Sequence, residues 1–340
     1  MSLDCQESNK EFKYLEFINW SVQFMSALTW ERLLSYHSTQ TIQKKLERSY
    51  QLSSYDNASG LSYDNCYRFI YFLKHGENFF KQADQSPHAI QPILLFYGIS
   101  QLIKACLLIV DPEYPSTSSV LAHGVSSRKR KKQQYQFLKD EIKIQRNGLF
   151  SHVAKHLFHI DHLEAEKYSM EQLLKQIAEM KDVFIFHLSD NPLIKISSDK
   201  LGHLALTEDI AQSFHMSVNR LGEFIKERYQ YNIVREEENN LYLKINQANS
   251  SIQLSPFLYH IEEKAYYLPN TRESLSNLPE ILVHYLLLYN LSMISRYETE
   301  WWYELLLGAT NDDYPFILRY MEIAKRKIPF FILEFLEGRL

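Results

Sequence analysis

A mainly α-helical fold, a multi-helix bundle body with a small antiparallel β insertion, is what this chain predicts from three features. Apolar residues recur at helical spacing through most of the long segments. Glycine and proline number only 9 and 10 in 340 residues, too few for the many tight turns of an all-β architecture. One segment, Tyr231 to Asn246, reads clearly as a hairpin, with apolar and β-branched arms flanking the polar turn Glu236 to Asn240.

The first quarter reads as helices over about Lys10 to Tyr36, Thr41 to Gln51 and Tyr63 to Phe80. Pro92 suits the first turn of a further helix that runs to about Ile109. Its apolar stretch, Ile93 to Val110, contains Gln101 and Lys104 and lacks basic anchors, so it predicts a buried core helix rather than a membrane span. Asp111 to Ser116 is a break with two prolines. Helices are then expected at about Lys129 to Lys143, Leu149 to His162 and Met170 to Met180. Val183 to Leu188 reads as a strand with Pro192 to Ile196 as its partner, followed by one helix over Glu208 to Tyr229. SIQLSPFLYH and KAYYLP add candidate strands, and the chain from Leu278 onward returns to helix. These elements divide the chain into an N-terminal helical region, 1–182, and a C-terminal region, 183–340, with the β insertion at about 231–268.

Composition narrows the function classes. A content of 45% hydrophobic residues predicts a folded chain with a sizeable core. Net charge is −4, so no global field recruits nucleic acid or an anionic membrane, and any such binding must come from a local patch. The opening MSLDCQESNKEFKYLEF has no basic region ahead of an apolar run, and the three cysteines show no zinc-type spacing; the expectation is a cytoplasmic protein with reduced thiols. No P-loop, GxGxxG, GxSxG or kinase pattern occurs, which removes the commonest nucleotide-binding and hydrolase classes.

Two long segments resemble a known family. HGVSSRKRKKQQYQFLKDEIKIQRNGLFSH, His123 to His152, is similar to the central signature of the YaaC-like family of Bacillus-type bacteria, and YNLSMISRYETEWW, Tyr289 to Trp302, is similar to a second. The resemblance extends over nearly the whole chain and implies no particular activity. Inside the first segment, Arg146-Asn147-Gly148-Leu149-Phe150-Ser151-His152 resembles the R-x(4–6)-H pattern of HEPN domains, helical bundles whose active members cleave RNA without metal. That resemblance implies His152 as general acid or base, Arg146 on the scissile phosphate, Asn147 as the polar follower, and a homodimer as the active state. The same spacing recurs at Arg68 to His75, so the pattern alone does not specify a site.

Other residues invite binding. Arg128, Lys129, Arg130, Lys131 and Lys132 form the one dense basic run, suited either to phosphates or to a solvated helix start. His123 precedes Gly124 in a candidate phosphate-approach loop. Arg296, Tyr297 and Trp301 pair a guanidinium with aromatic faces, for a base or as a buried anchor. His152, His156, His159 and His162 form a helical stripe whose i, i+4 pair could hold zinc if Asp161 or a distant carboxylate joined it. The simpler expectation is a polar helix edge, with no metal and no cofactor. The sequence therefore favours a non-catalytic regulatory or interaction protein, its partner a protein, nucleotide or RNA and not a membrane. A metal-independent ribonuclease using Arg146 and His152 is the alternative.

Overall fold

The computed structural model describes residues 27–127, 135–162, 166–237, 239–245, 254–308 and 311–340. Residues 27–34 are helical and run into a 3₁₀ turn at Ser35–His37; the rest of the expected first helix lies outside the described residues. Then come α1 (Thr39–Leu52), α2 (Ala58–Gln85) and α3 (Gln91–Val110). Ser38 caps α1 by accepting from Thr41 N–H, and Asn57 caps α2 by accepting from Gly60 N–H. Pro92 stands in the first turn of α3, where its missing N–H costs no helix bond.

After the break come β1 (Val125–Ser127), β2 (Glu141–Ile144), α4 (Leu149–Phe158), β3 (Lys167–Ser169), α5 (Met170–Leu174) and α6 (Lys181–Leu188). The middle of the chain gives β4 (Leu193–Ile196), β5 (Leu204–Thr207), α7 (Glu208–Ser213), α8 (Val218–Tyr229), β6 (Asn232–Glu237), β7 (Asn240–Lys244), β8 (Leu258–His260) and β9 (Ala265–Pro269). The chain closes with α9 (Glu280–Tyr297), α10 (Thr299–Gly308) and α11 (Asp313–Arg339). The fold is mainly α with small antiparallel sheets, ordered β1-β2-β3, β4-β9-β8 and β5-β7-β6.

The largest apolar core combines residues from 33 to 184 with residues from 278 to 336, so α9 and α11 fold back onto the first helices. α3 lies at its centre, against α2, α9 and α11. It is long and apolar enough to cross a bilayer, yet 67% of its apolar window is buried inside the protein. A second core, drawn from residues 196 to 275, fills the space between α7, α8 and their sheet.

Several sequence expectations need correction. Lys129 to Lys143 is not one helix: Phe137–Lys139 is a single 3₁₀ turn and Glu141–Ile144 is strand β2. Ile142 and Ile144 are buried while Lys143 between them is exposed, the period of two that marks a strand. The helix expected to reach His162 ends at Phe158, because His159 turns left-handed at φ 56°. The helix expected to reach Met180 stops at Leu174 and resumes as a 3₁₀ turn, Ala178–Met180. Val183 to Leu188 is not a strand but part of α6, and β4 pairs with β9 instead. Glu208 to Tyr229 splits into α7 and α8, where His215 takes φ 55° and Ser217 caps the second helix by accepting from Arg220 N–H. The Tyr231 hairpin is present as β6–β7, whereas strands also occur well before residue 231.

Candidate functional site

Two separate groups of polar side chains lie along α3, which packs against α4 and α9. The first surrounds His123, in the segment entering β1. Its ring lies edge-on to Phe96, with centroids 4.9 Å apart, and near Tyr289 at 5.8 Å and Tyr97 at 6.3 Å. The Tyr285 hydroxyl donates to the His123 carbonyl at 3.0 Å and fixes the backbone there. Burial pushes the imidazole pKa down, and the neighbouring Arg296 and Lys104 charges push it further. Lys104 is half-buried on α3, its ammonium 5.8 Å from the centre of the Phe72 ring, and burial lowers its pKa too. Arg296, in the last turn of α9, donates from Nε to Ser292 O at 3.0 Å and lies 5.3 Å from the centre of the Tyr297 ring. Among the described residues, none of these three bases forms an ion pair with a carboxylate.

The second group lies at the end of α3. Asp111 closes that helix, its own N–H donating to Leu107 O at 2.8 Å. His152 Nε2 stands 2.7 Å from Asp111 Oδ2, with both side chains largely shielded from solvent. His156, one turn along α4, lies with its ring 4.2 Å from that of His152. Burial, and after it His152, push the His156 pKa down. One ligand atom from each of Asp111, His152 and His156 lies within 4.8 Å of the others.

Hydroxyl and amide groups hold this corner in place. Tyr50 donates to Leu108 O at 2.7 Å and Ser49 to Ile109 O at 3.2 Å, which satisfies carbonyls that a helix end leaves open. Asn65 donates to Pro112 O at 2.8 Å, and Arg68 binds both Asn65 and the Tyr114 carbonyl. The start of α4 is fixed by backbone as well: Leu149 N–H donates to Ala122 O at 2.7 Å and Phe150 N–H to His123 O at 3.2 Å. This crossing needs two glycines in contact. A Cβ on Gly148, at φ 132°, would lie 2.3 Å from the Gly124 Cα. Ala122 and His123 thus present their carbonyls to the first amides of α4, while the Gly124 carbonyl accepts from Gln145 N–H at 2.9 Å.

The sequence-predicted residues divide accordingly. His123 and Arg296 come together, with Tyr297 exposed beside them. His152 is held by Asp111, while Arg146 and Asn147 are exposed on the bend before α4. Trp301 packs edge-on to Tyr135 at 4.6 Å, and the adjacent Trp302 is the buried anchor, its indole donating to Ala89 O at 2.9 Å. The basic run, Arg128, Lys129, Arg130, Lys131 and Lys132, lies outside the described residues. His159 and His162 fall beyond the end of α4, so the four-histidine stripe reduces to the pair His152 and His156. Sequence reasoning missed Lys104 and Asp111. The one available signal for Lys104 is a cation interrupting an otherwise apolar helix, whereas Asp111 has the character of an ordinary turn residue ahead of Pro112.

The family description YaaC-like Protein matches residues 34–336 of this chain. No curated protein matches it, and no solved structure does.

Proposed function

We propose that this chain, which belongs to the YaaC-like family, is a non-catalytic regulatory protein that binds a phosphate-bearing, nucleotide-sized ligand at Lys104, His123 and Arg296. The observation that carries this reading is the grouping of three bases from α3, the β1 approach and α9 with no ion-paired carboxylate among the described residues. Lys104 and Arg296 each act on the half-buried His123 ring and disfavour its protonation, and a bound anion offsets that effect. Lysine supplies a point charge and arginine a planar fork, a combination suited to phosphate oxygens. The Tyr297 ring is 65% exposed next to the Arg296 guanidinium and offers a face for a base. In a thermal-shift series, nucleoside di- and triphosphates should raise the melting temperature of the wild type and nucleosides should not. The shift should shrink with added salt. Equal shifts from charged and uncharged ligands would remove the basis of this reading.

A second reading, metal-independent RNA cleavage by His152, draws support from the 2.7 Å contact with Asp111, which orients the imidazole as an acid/base catalyst requires. Chelator-resistant cleavage by the wild type, lost in His152→Ala, is its test. Removal of a general acid/base typically costs about 10²–10⁴ in rate.

A further inference from the structure

We propose that Asp111, His152 and His156 form a binding site for a divalent cation of the zinc class. It is separate from the anion-binding patch and does not depend on it. The residue types are those that bind such ions: two imidazoles one helical turn apart and a carboxylate from another element. His152 and His156 share one face of α4 because i and i+4 stack on a helix. Asp111 arrives from the end of α3, and His152 Nε2 to Asp111 Oδ2 is already 2.7 Å. Donors around a tetrahedral zinc stand about 3.3 Å apart for bonds near 2.0–2.1 Å. The widest spacing in this cluster, up to 4.8 Å, closes with a modest turn of a histidine ring.

The surroundings favour a cation over a bare hydrogen bond. The C-terminal end of α3 carries the negative end of its helix dipole towards Asp111. The backbone that bears Asp111 is clamped on both sides, by Tyr50 and Ser49 on the preceding carbonyls and by Asn65 on the following one. Such outer bonds hold a metal ligand in position before the metal arrives. On binding, the cation takes the place of the proton shared by His152 Nε2 and Asp111 Oδ2. That proton moves to His152 Nδ1 if the ring is neutral, or to solvent if it is charged. Three protein ligands leave a fourth position for water or a ligand atom.

The test uses the full chain, freed of metal by chelator and dialysis, then titrated with Co²⁺ by visible absorption and with Zn²⁺ by calorimetry. One equivalent should bind, Co²⁺ should develop tetrahedral absorption bands, and Zn²⁺ should raise the melting temperature. His156→Ala should weaken binding by about tenfold or more and leave the melting temperature of the metal-free protein nearly unchanged. His159→Ala, beyond the end of the helix, should bind as the wild type does. No stoichiometric binding by the wild type, or undiminished binding by His156→Ala, would overturn the proposal and leave a His–Asp hydrogen bond only.

Discussion

Replacing Lys327 with methionine should cost far more stability than replacing Glu280 with glutamine, although both side chains belong to one buried cluster. Lys327 is wholly buried on α11, its ammonium 2.5 Å from Glu179 Oε2 and 2.6 Å from Glu280 Oε1. Burial pushes the Glu179 carboxyl up, but Lys327 and then His260 overcome this and hold it below its ordinary value. Glu280 goes the other way: burial outweighs Lys327 and lifts it to about 8. Burial also drives the adjacent His284 down to about 3, so that ring is neutral. At neutral pH the cluster therefore carries one ammonium, one carboxylate and one largely protonated acid. Lys327→Met keeps most of the volume and strands the Glu179 carboxylate, a loss of about 3–5 kcal/mol. Glu280→Gln exchanges one neutral group for another in the folded state and removes the proton uptake that folding demands of Glu280 at pH 7, so it should leave stability at that pH unchanged or raise it. Urea denaturation at pH 7, followed by circular dichroism, gives both values from the shift in midpoint. Equal losses in the two variants would refute this charge assignment.

The same cluster sets a pH dependence of known sign. Because the folded protein raises the Glu280 pKa, it holds a proton that the unfolded chain releases at about pH 4.5. The Glu280 contribution is therefore fully present below that pH and is lost as pH rises towards about 8. The slope is at most about 1.4 kcal/mol per pH unit. Glu280→Gln should flatten the stability profile across this window, and an unchanged profile would contradict the shift. Gly148→Ala should cost about 2–5 kcal/mol, from a left-handed φ and a Cβ driven into the Gly124 backbone; thermal melting reads it. Asn65→Ala should cost about 1–3 kcal/mol by leaving the Pro112 carbonyl without its side-chain donor and removing one of the two acceptors of Arg68, measured in the same way.

The elements that were legible in the sequence are those whose pattern is long. α1, α2, α3 and α9 carry helical periodicity or a continuous apolar run over many turns, and the β6–β7 hairpin has a polar turn between apolar arms. Short apolar runs misled. The segment Val183 to Leu188 has strand-like composition, yet it is helical, with Phe184 buried and Phe186 82% exposed. In six residues, burial on one side fits either period. β2 was hidden because the charged residues around Ile142 and Ile144 also suit a solvated helix.

The site was half legible. His123, His152 and Arg296 drew attention as polar groups within the two long signatures. Their partners Lys104 and Asp111 arrive from α3, whose apolar run marks it as core and conceals the cation and carboxylate that it delivers. Which bases share one surface depends on the α3–α9 packing, a tertiary relation that no local pattern encodes.

The most direct measurement on the anion-binding patch is calorimetric titration of a nucleoside triphosphate into the wild type and into the double variant Lys104→Gln, Arg296→Gln. Both positions are half-buried and without carboxylate partners among the described residues, so the variant should fold. Saturable binding by the wild type, weakened about 100-fold or more in the variant and falling with salt, is the expected result, a loss of roughly 2.7 kcal/mol or more. Binding of equal strength in both proteins, or none in the wild type, would contradict it.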